Sequence, residues 1–357
     1  MVRGAVWFRS DLRTDDNPAL LDATNSCEEV IGIYIFSENQ WALHNESNIK
    51  HEFLLNNLNK LEKSLNELNI PLIAVNAESF KSLHVDLTSF VTQHNIGHVF
   101  WNKEFGLNEL ERDNMVSESL KKISVSSSSY HDQVIYEPGF LKTGQGKPFS
   151  VFTPYKRRWV ENFSMDFLDL KKPKAVQKFT AIKSSLSSLK FKKTHSANID
   201  LWPAGEEAAQ QCLTSFLKNK SKDYSQSRNI PMVDGTSRIS PYLALGVVSP
   251  KRCILEALKL NNFEFNSGNK GLCKWIDEIV WREFYRNIMH SFPRVSMSKP
   301  FQNYTNSIQW RHSELELKAF YQGNTGFPII DAGIRQMLAE GWMHNRLRMI
   351  VAMFFTK

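Results

Sequence analysis

The sequence predicts an α/β domain with a parallel, Rossmann-like sheet, followed by an all-α domain. Short apolar runs alternate with helical patterns in the first third of the chain, as they do in βαβ units. After about residue 206 the periodicity becomes helical and is punctuated by prolines and glycines. A length of 357 residues is enough for two domains. We expect an α/β domain at 1–135, an interdomain linker at 136–205 and a helical domain at 206–357.

The strands are predicted from short runs that are rich in β-branched and aromatic residues. Four such runs occur, at Gly4–Phe8, Val30–Phe36, Leu72–Val75 and His98–Trp101. Between the second and third runs, apolar residues recur at helical spacing, and they are Phe53, Leu54, Leu58, Leu61, Leu65 and Leu68. The stretch Ser126–Ser129 is predicted to be a short polar turn. A parallel sheet of this kind binds ligands at the carboxyl ends of its strands.

Glycine-rich nucleotide motifs are missing from this part of the sequence. There is no G-x-G-x-x-G, and the run Gly144-Gln145-Gly146-Lys147 lacks Walker spacing and precedes Pro148. Both nucleotide fingerprints are therefore excluded.

The stretch from Lys171 to Ile199 has the composition of a linker. It carries eight lysines, no acidic residue and several serines. Uniform charge and weak hydrophobicity are typical of a solvated segment. We interpret it as a crossing between the domains rather than as a dedicated DNA-binding arm.

Charge and cysteine usage narrow the class of protein. The formal net charge of +7 fits an anionic partner, and it fits equally well a protein with lysine-rich solvated faces. The scattered cysteines predict buried thiols in a reduced cytosolic protein, and they are Cys27, Cys212, Cys253 and Cys273. The histidines do not cluster with other ligand types, so no metal site is expected. We find no signal-peptide core and no apolar run of membrane-spanning length.

Two segments combine tryptophans with arginines, at 275–286 and 342–349. A purely solvated surface would use lysine and glutamate, and a purely apolar core would not carry so many arginines. Large aromatic faces beside fixed guanidinium charges suit a site for a flat aromatic ligand and a polyanion.

Four motifs in order along the chain resemble the photolyase–cryptochrome family. The segment 7–17 resembles its opening strand and turn, and Gly235–Ser240 resembles its flavin phosphate loop. The segments around Trp281 and Trp342 resemble its flavin- and lesion-binding helices. Within the family the match is closest to bacterial class I enzymes that repair cyclobutane pyrimidine dimers in DNA. The resemblance implies a monomeric protein of the bacterial cytoplasm that associates with DNA and uses FAD and blue light, so that no nucleophile or acid–base pair is required.

The resemblance implies the following cofactor contacts. The pyrophosphate of FAD would lie at a loop that offers hydroxyl and backbone N–H groups and one arginine, and its residues are Thr236, Ser237, Arg238, Ile239 and Ser240. Tyr224 and Trp275 would line the same site. The alternative for the loop is an ordinary turn with a helix cap, and for each aromatic residue it is a place in the core.

The resemblance also implies a lesion-binding and DNA-binding face. Glu278 would hydrogen-bond to the bases of the dimer, Trp281 would stack on them, Asn345 would contact flavin and lesion together, and Met349 would lie beside the dimer. Among the arginines, Arg228 and Arg346 would contact DNA phosphates, and Arg282 would belong to the same DNA-binding set. The alternative for Glu278 is an ion pair with Arg282, one helical turn away.

Two further expectations come from the resemblance. Trp310 matches the outermost tryptophan of an electron relay. Asn108 and Glu109 match positions that hold an antenna pigment, 5,10-methenyltetrahydrofolate.

The sequence also leaves functional alternatives open. Residues 349–357 look like a buried helix that stops without a cap, which predicts a fragment or a truncated gene product. Family members run well beyond this point, into further flavin contacts and two more relay tryptophans. The alternatives are a cryptochrome-type photoreceptor, an enzyme for the six-four photoproduct, and an inactive truncated photolyase that retains only DNA binding.

Overall fold

The first part of the protein contains a parallel five-stranded sheet. We describe a computed structural model that covers residues 3–178, 180–186, 189 and 197–357. The strands are β1 (Arg3–Phe8), β2 (Glu29–Phe36), β3 (Leu72–Asn76), β4 (His98–Asn102) and β5 (Ser126–Tyr130). They lie in the order β3-β2-β1-β4-β5, so the winding reverses between β1 and β4. The predicted α/β fold followed by a helical domain is confirmed.

The edge strand β5 corrects one expectation. The prediction of a polar turn at Ser126–Ser129 is wrong, because these residues pair in parallel with β4, from His98 opposite Ser126 to Asn102 opposite Tyr130. An edge strand needs backbone hydrogen bonds on one side only. Its serines are exposed or half-buried, so the strand forms without the apolar alternation by which strands are recognised.

Helices pack on both faces of the sheet. They are α1 (Pro18–Ser26), α2 (Glu38–Leu43), α3 (Asn48–Glu67), α4 (Leu83–Gln93) and α5 (Leu107–Lys122). The helix predicted between the second and third strands is α3, which buries Phe53, Leu54, Leu58, Leu61 and Leu65.

The predicted linker contains ordered structure. Helix α6 (Phe152–Glu161) buries Phe152, Tyr155 and Trp159. Farther along, Val176, Leu186 and Leu189 are buried in the same core. Within the lysine-rich stretch, residues 179, 187–188 and 190–196 lie outside the described residues. The boundaries of the linker stay a prediction.

The last part of the described chain is helical. Its helices are α7 (Glu206–Asn219), α8 (Tyr224–Ser227), α9 (Ser240–Ala244), α10 (Pro250–Leu260), α11 (Lys270–Ser291), α12 (Glu314–Gln322), α13 (Pro328–Glu340) and α14 (Asn345–Thr356). No helix within the described residues is long and apolar enough to cross a membrane, and those residues hold no cluster of metal-ligating side chains.

A buried ion pair and a close backbone contact join the two parts. The guanidinium of Arg13 pairs with Asp132, and both side chains are at most 2% exposed. The same guanidinium donates to the carbonyl oxygen of Gly246, at 3.0 Å. Gly246 has a φ of +63°, and a Cβ there would lie 2.0 Å from the carbonyl oxygen of Ser10. Only glycine permits this approach, which sets α9 against the loop that follows β1.

The final helix, α14, is only partly buried. Its buried residues are Leu347 and Val351, whereas Phe354 is 37% and Phe355 is 50% exposed. The expectation of a buried helix at 349–357 is therefore wrong. Phe354 and Phe355 contact Phe320 and Phe327, but these contacts leave both rings partly exposed.

Candidate functional site

The loop before α9 presents unpaired backbone N–H groups. Arg238 has a φ of +51°, and Ile239 has a right-handed helical conformation. A left-handed residue beside a right-handed one points successive N–H groups toward one concave side, where an anion binds. Within the described residues, the N–H groups of Thr236, Ser237, Arg238 and Ser240 have no hydrogen-bond acceptor. The Ile239 side chain is buried, so only its backbone could face a ligand.

The guanidinium of Arg238 links this loop to the segment before α14. It lies over the indole of Trp342, 4.7 Å from the ring centroid. It also donates to Glu340 Oε2 at 2.9 Å. The phosphate-loop motif and the second tryptophan–arginine segment, about a hundred residues apart in sequence, therefore meet.

The predicted flavin residues Tyr224 and Trp275 lie in the core beside the loop. Both rings contact Phe216, with centroid distances of 5.6 Å and 5.2 Å. Phe216 belongs to α7, and Cys212 on the same helix donates from Sγ to the carbonyl oxygen of Ser237. Both rings are therefore core residues, as the alternative had it. Their contact with a flavin stays a prediction.

Glu278 forms an ion pair, but not with Arg282. Its carboxylate accepts from the guanidinium of Arg228. The side chain of Arg228 is 11% exposed and that of Glu278 is 29% exposed. The alternative of an ion pair with Arg282 is wrong.

Arg282 points into the protein. Its guanidinium donates to the backbone carbonyl oxygens of Gln133 and Leu243. Burial, and next the charge of Arg286, lower the pKa of Arg282 to about 9. The structure therefore does not bring Arg282 to the exposed face with the other predicted DNA contacts, because its long stem reaches inward to the crossing between the domains.

Trp281 is half-buried in a stack of rings. Its indole lies parallel to Phe152 of α6, with centroids 3.7 Å apart and an interplanar angle of 8°. Tyr285 stacks at 5.6 Å. Helix α6, in the predicted linker, therefore fixes the orientation of the proposed lesion-stacking residue.

The N-terminal part of α14 carries the other predicted lesion and DNA residues. Asn345 is exposed, and Met349 is 50% exposed. The guanidinium of Arg346 donates twice to Asn229 Oδ1, at 2.9 Å and 2.6 Å. It also lies 3.3 Å from the Met349 sulfur. These three residues share an open surface.

Sequence reasoning missed His344 and Asn229. His344 is the N-cap of α14 and accepts from Arg346 N–H through Nδ1, at 3.1 Å. The preferred N-cap residues are serine, threonine, aspartate and asparagine, so histidine gives no capping signal in the sequence. Asn229 follows Arg228 directly, and only its bond to Arg346 reveals a role.

Three predicted residues lie elsewhere. Asn108 and Glu109 are in the first turn of α5, where Leu107 N–H donates to Ser296 Oγ at 3.2 Å. Burial, and next the charge of Glu104, raise the pKa of Glu109. Trp310 is 62% exposed.

The loop at 236–240 fits the phosphate end of a flavin nucleotide. It offers a row of unpaired N–H groups beside the Arg238 guanidinium, whose side chain is 32% exposed. A pyrophosphate needs this set of charged and neutral donors.

Comparisons with known proteins agree with this geometry. Residues 5–177 match the family described as DNA photolyase, and residues 275–357 match the FAD binding domain of DNA photolyase. The chain is 34% identical, over 99% of its length and 75% of the relative, to a deoxyribodipyrimidine photo-lyase of Vibrio cholerae. It is 35% identical, over 100% of its length and 75% of the relative, to the Escherichia coli protein of the same name.

A solved structure gives the same result for the fold. A bacterial class III photolyase from Agrobacterium tumefaciens superposes with a TM-score of 0.88 at 29% identity, and the match covers 99% of this chain and 72% of that one. The chain spans about three quarters of the length of the curated relatives it matches. The two family matches, the identity to these relatives and the fold confirm the predicted resemblance. The chain belongs to the DNA photolyase family.

Proposed function

We propose that the protein repairs cyclobutane pyrimidine dimers in DNA by light-dependent electron transfer from reduced FAD. One observation carries the proposal: the loop with unpaired N–H groups and the arginine-bearing turn of α14 meet through Arg238 and Trp342. A flavin phosphate held at the loop would thus lie beside a surface fit for DNA. The relatives at 34% and 35% identity carry the name of this activity.

The residues of the loop would hold the cofactor. The N–H groups of Thr236, Ser237, Arg238 and Ser240 would donate to the pyrophosphate, and the guanidinium of Arg238 would neutralise part of its charge. Reduced FAD supplies one electron on excitation, so the protein has to supply position and polarity. Tyr224 and Trp275 would form the wall of the flavin site that faces the core.

The exposed face would hold the DNA. Arg228 and Arg346 would bind phosphates, and each now uses its guanidinium on a neighbouring side-chain oxygen that a phosphate could replace. Trp281 would stack on the extruded bases, and Glu278 and Asn345 would hydrogen-bond to them. Arg282 is not part of this proposal, since its guanidinium is buried against carbonyl oxygens.

The magnitudes favour a damage-selective face. Extruding a base costs a few kcal/mol, and less where pairing is already weakened, as it is at a dimer. Stacking on an aromatic side chain returns roughly 1–3 kcal/mol per base. An intact duplex therefore gains little, whereas a distorted one gains enough for selection without readout of sequence.

The test is to purify the protein, add FAD and follow loss of dimers from an oligonucleotide under blue light. The proposal predicts a bound-flavin spectrum and dimer loss that requires both light and reduced flavin. Flavin binding without repair would favour a cryptochrome-type photoreceptor. Selective dark binding of dimers without flavin would favour a protein that only binds DNA, and repair restricted to the six-four photoproduct would change the substrate.

We also propose that Asn108 and Glu109 hold a folate antenna, 5,10-methenyltetrahydrofolate. Glu109 is partly buried near the charge of Glu104. Its carboxylate could accept a hydrogen bond from an N–H group of the ligand. Added methenyltetrahydrofolate should bind and transfer excitation to the flavin, and Glu109→Ala should abolish this transfer. Unchanged transfer in the variant would place the antenna elsewhere. We further propose that the protein is a monomer in the bacterial cytoplasm. Size-exclusion chromatography tests the oligomeric state.

A further inference from the structure

His344 determines the position of the first turn of α14. Its Nδ1 accepts from the backbone N–H of Arg346, at 3.1 Å. Its own backbone N–H donates to Gln336 Oε1, also at 3.1 Å. The imidazole is 2% exposed, so water cannot replace these bonds easily. The cap therefore fixes the backbone at the start of α14, and with it the positions of Asn345 and Arg346.

The cap requires a neutral imidazole. Burial, and next the charges of Arg346, Arg228 and Arg238, lower the pKa of His344. At neutral pH the ring is therefore uncharged, and Nδ1 is free to accept. The proton then resides on Nε2, which is buried and has no hydrogen-bond partner in the part of the chain that the structure describes.

The same imidazole contacts the segment that reaches the phosphate loop. It meets Trp342 edge to face, with centroids 6.2 Å apart and an angle of 89°. Trp342 also contacts Arg238, whose guanidinium lies over the indole, 4.7 Å from the ring centroid. A continuous set of contacts thus runs from Arg238 through Trp342 and His344 to Arg346.

We propose that His344 is a positioning residue for damage recognition, which holds Asn345, Arg346 and Met349 in register with the phosphate loop. This inference deepens the proposed function and rests on it. His344 would touch neither DNA nor flavin, and its effect would pass through the α14 cap and through Trp342.

Three substitutions separate capping from packing. Asparagine is among the best N-cap residues, and its Oδ1 lies at the position of Nδ1. Glutamine carries its amide one bond farther out, near the position of Nε2, and alanine has neither group. His344→Asn keeps the acceptor and removes the unpaired Nε2–H donor. His344→Gln is the matched control, because it keeps an amide but misplaces the cap.

The measurement is the ratio of dark binding affinities for dimer-containing and undamaged DNA, made on the full chain with FAD added. His344→Ala and His344→Gln should lower this ratio about fivefold, whereas His344→Asn should stay close to the wild type. Flavin absorbance and the thermal midpoint confirm that each variant is folded, and the Asn–Gln pair decides the matter if the alanine variant does not fold.

The outcomes are distinguishable. Equal ratios in the wild type, His344→Asn and His344→Gln would overturn the positioning role. Equal losses in His344→Asn and His344→Gln would do the same, because the cap would then not be the cause. A wild-type protein without any preference for the dimer would overturn the proposed function itself, and this inference with it.

Discussion

Trp281 shows how a single side chain can be both packed and available. One face of its indole is occupied by Phe152 at 3.7 Å, and Tyr285 lies at 5.6 Å. Yet Trp281 remains half-buried. Glu278 lies three residues before it, on the same face of α11. Contact with these two rings restricts the indole, which lowers the entropic cost of stacking a base on the part that remains exposed.

Trp281→Ala should lower the preference for dimer-containing DNA about tenfold, because stacking contributes roughly 1–3 kcal/mol per base. Competition binding in the dark measures the preference. The matched control is Trp310→Ala, since Trp310 is 62% exposed and shows no ring or cation–π contact among the described residues. Equal losses on damaged and undamaged DNA would contradict a stacking role.

Arg346 should act on all DNA alike. Its guanidinium bonds to Asn229 rather than to a buried group, so it can turn toward a phosphate. Arg346→Ala should weaken binding to both DNAs and reduce the slope of log affinity against log salt by about 1. Arg335→Ala, which removes an exposed arginine bonded to Asn324, is the control. A slope unchanged from the wild type would remove Arg346 from the phosphate contacts.

Motif reasoning predicted which residue types gather at the site, but not how they pair. The pairing of Arg228 with Glu278 spans fifty positions and depends on how α8 packs against α11, which no local pattern encodes. The inward turn of Arg282 was missed for the same reason. His344 was missed because a histidine cap looks like any other histidine in a sequence.

At the scale of elements, α11 is held by one buried carboxylate. Glu283 accepts from the N–H groups of Ile135 and Tyr136, at 2.6 Å and 3.1 Å. It also accepts from Trp159 Nε1 at 2.8 Å and from the Tyr155 hydroxyl at 3.3 Å. A helix of the second domain, a helix of the predicted linker and the chain after β5 thus share one acceptor group.

The pH dependence of this carboxylate gives a prediction. Burial raises the pKa of Glu283 to about 7 despite its four hydrogen bonds. The folded protein therefore holds this proton more tightly than the unfolded chain, and stability falls as pH rises from the unfolded pKa, near 4.5, through about 7. The free energy of unfolding should lose roughly 3 kcal/mol over this range from this group.

Glu283→Gln tests that sign, because glutamine does not titrate. Urea unfolding at several pH values between 5 and 8 should give a wild-type slope that the variant lacks. At low pH the variant should also be less stable than the wild type. Its amide N–H₂ group would face the N–H and O–H donors that now bond to the Glu283 carboxylate. Parallel slopes would show that Glu283 titrates at its ordinary pKa.

The first four strands and α3 were predicted from apolar patterns, β5 was missed because it has no such pattern, and the burial predicted for α14 was wrong. Helix α3 and the first four strands follow from side-chain burial, which leaves a periodic pattern. Strand β5 is serine-rich, and it is defined by backbone pairing with β4 rather than by an apolar pattern. The aromatic residues near the end of α14 have an apolar pattern typical of burial, but their contacts with Phe320 and Phe327 leave them partly exposed.

At the scale of the whole molecule, the two halves share one large buried cluster. The largest buried cluster includes Phe8 and Leu20 of the α/β part as well as Trp275 and Ile276 of α11. Leu12 N–H donates to the carbonyl oxygen of Leu245 at 3.0 Å, next to the contact of Arg13 with Gly246. The composition shift in the linker predicted two parts, but composition carries no information on how closely they pack.

Gly246 is where this packing is most sensitive to a single atom. Alanine at Gly246 would have to keep a φ of +63° and place its Cβ 2.0 Å from the Ser10 carbonyl oxygen. Either the loop after β1 or α9 must move, and the buried pair of Arg13 and Asp132 would lose its alignment. Gly246→Ala should therefore lower the free energy of unfolding by roughly 3 kcal/mol or more.

Gly326 supplies the matched control for that substitution. It has a φ of +84°, and a Cβ there would meet no atom within 4 Å. Gly326→Ala should therefore show only the cost of a left-handed conformation, roughly 1 kcal/mol. Denaturant unfolding followed by tryptophan fluorescence compares the two variants. If both lost the same stability, the cost would lie in backbone strain alone, and the contact between α9 and the loop after β1 would not hold the halves together.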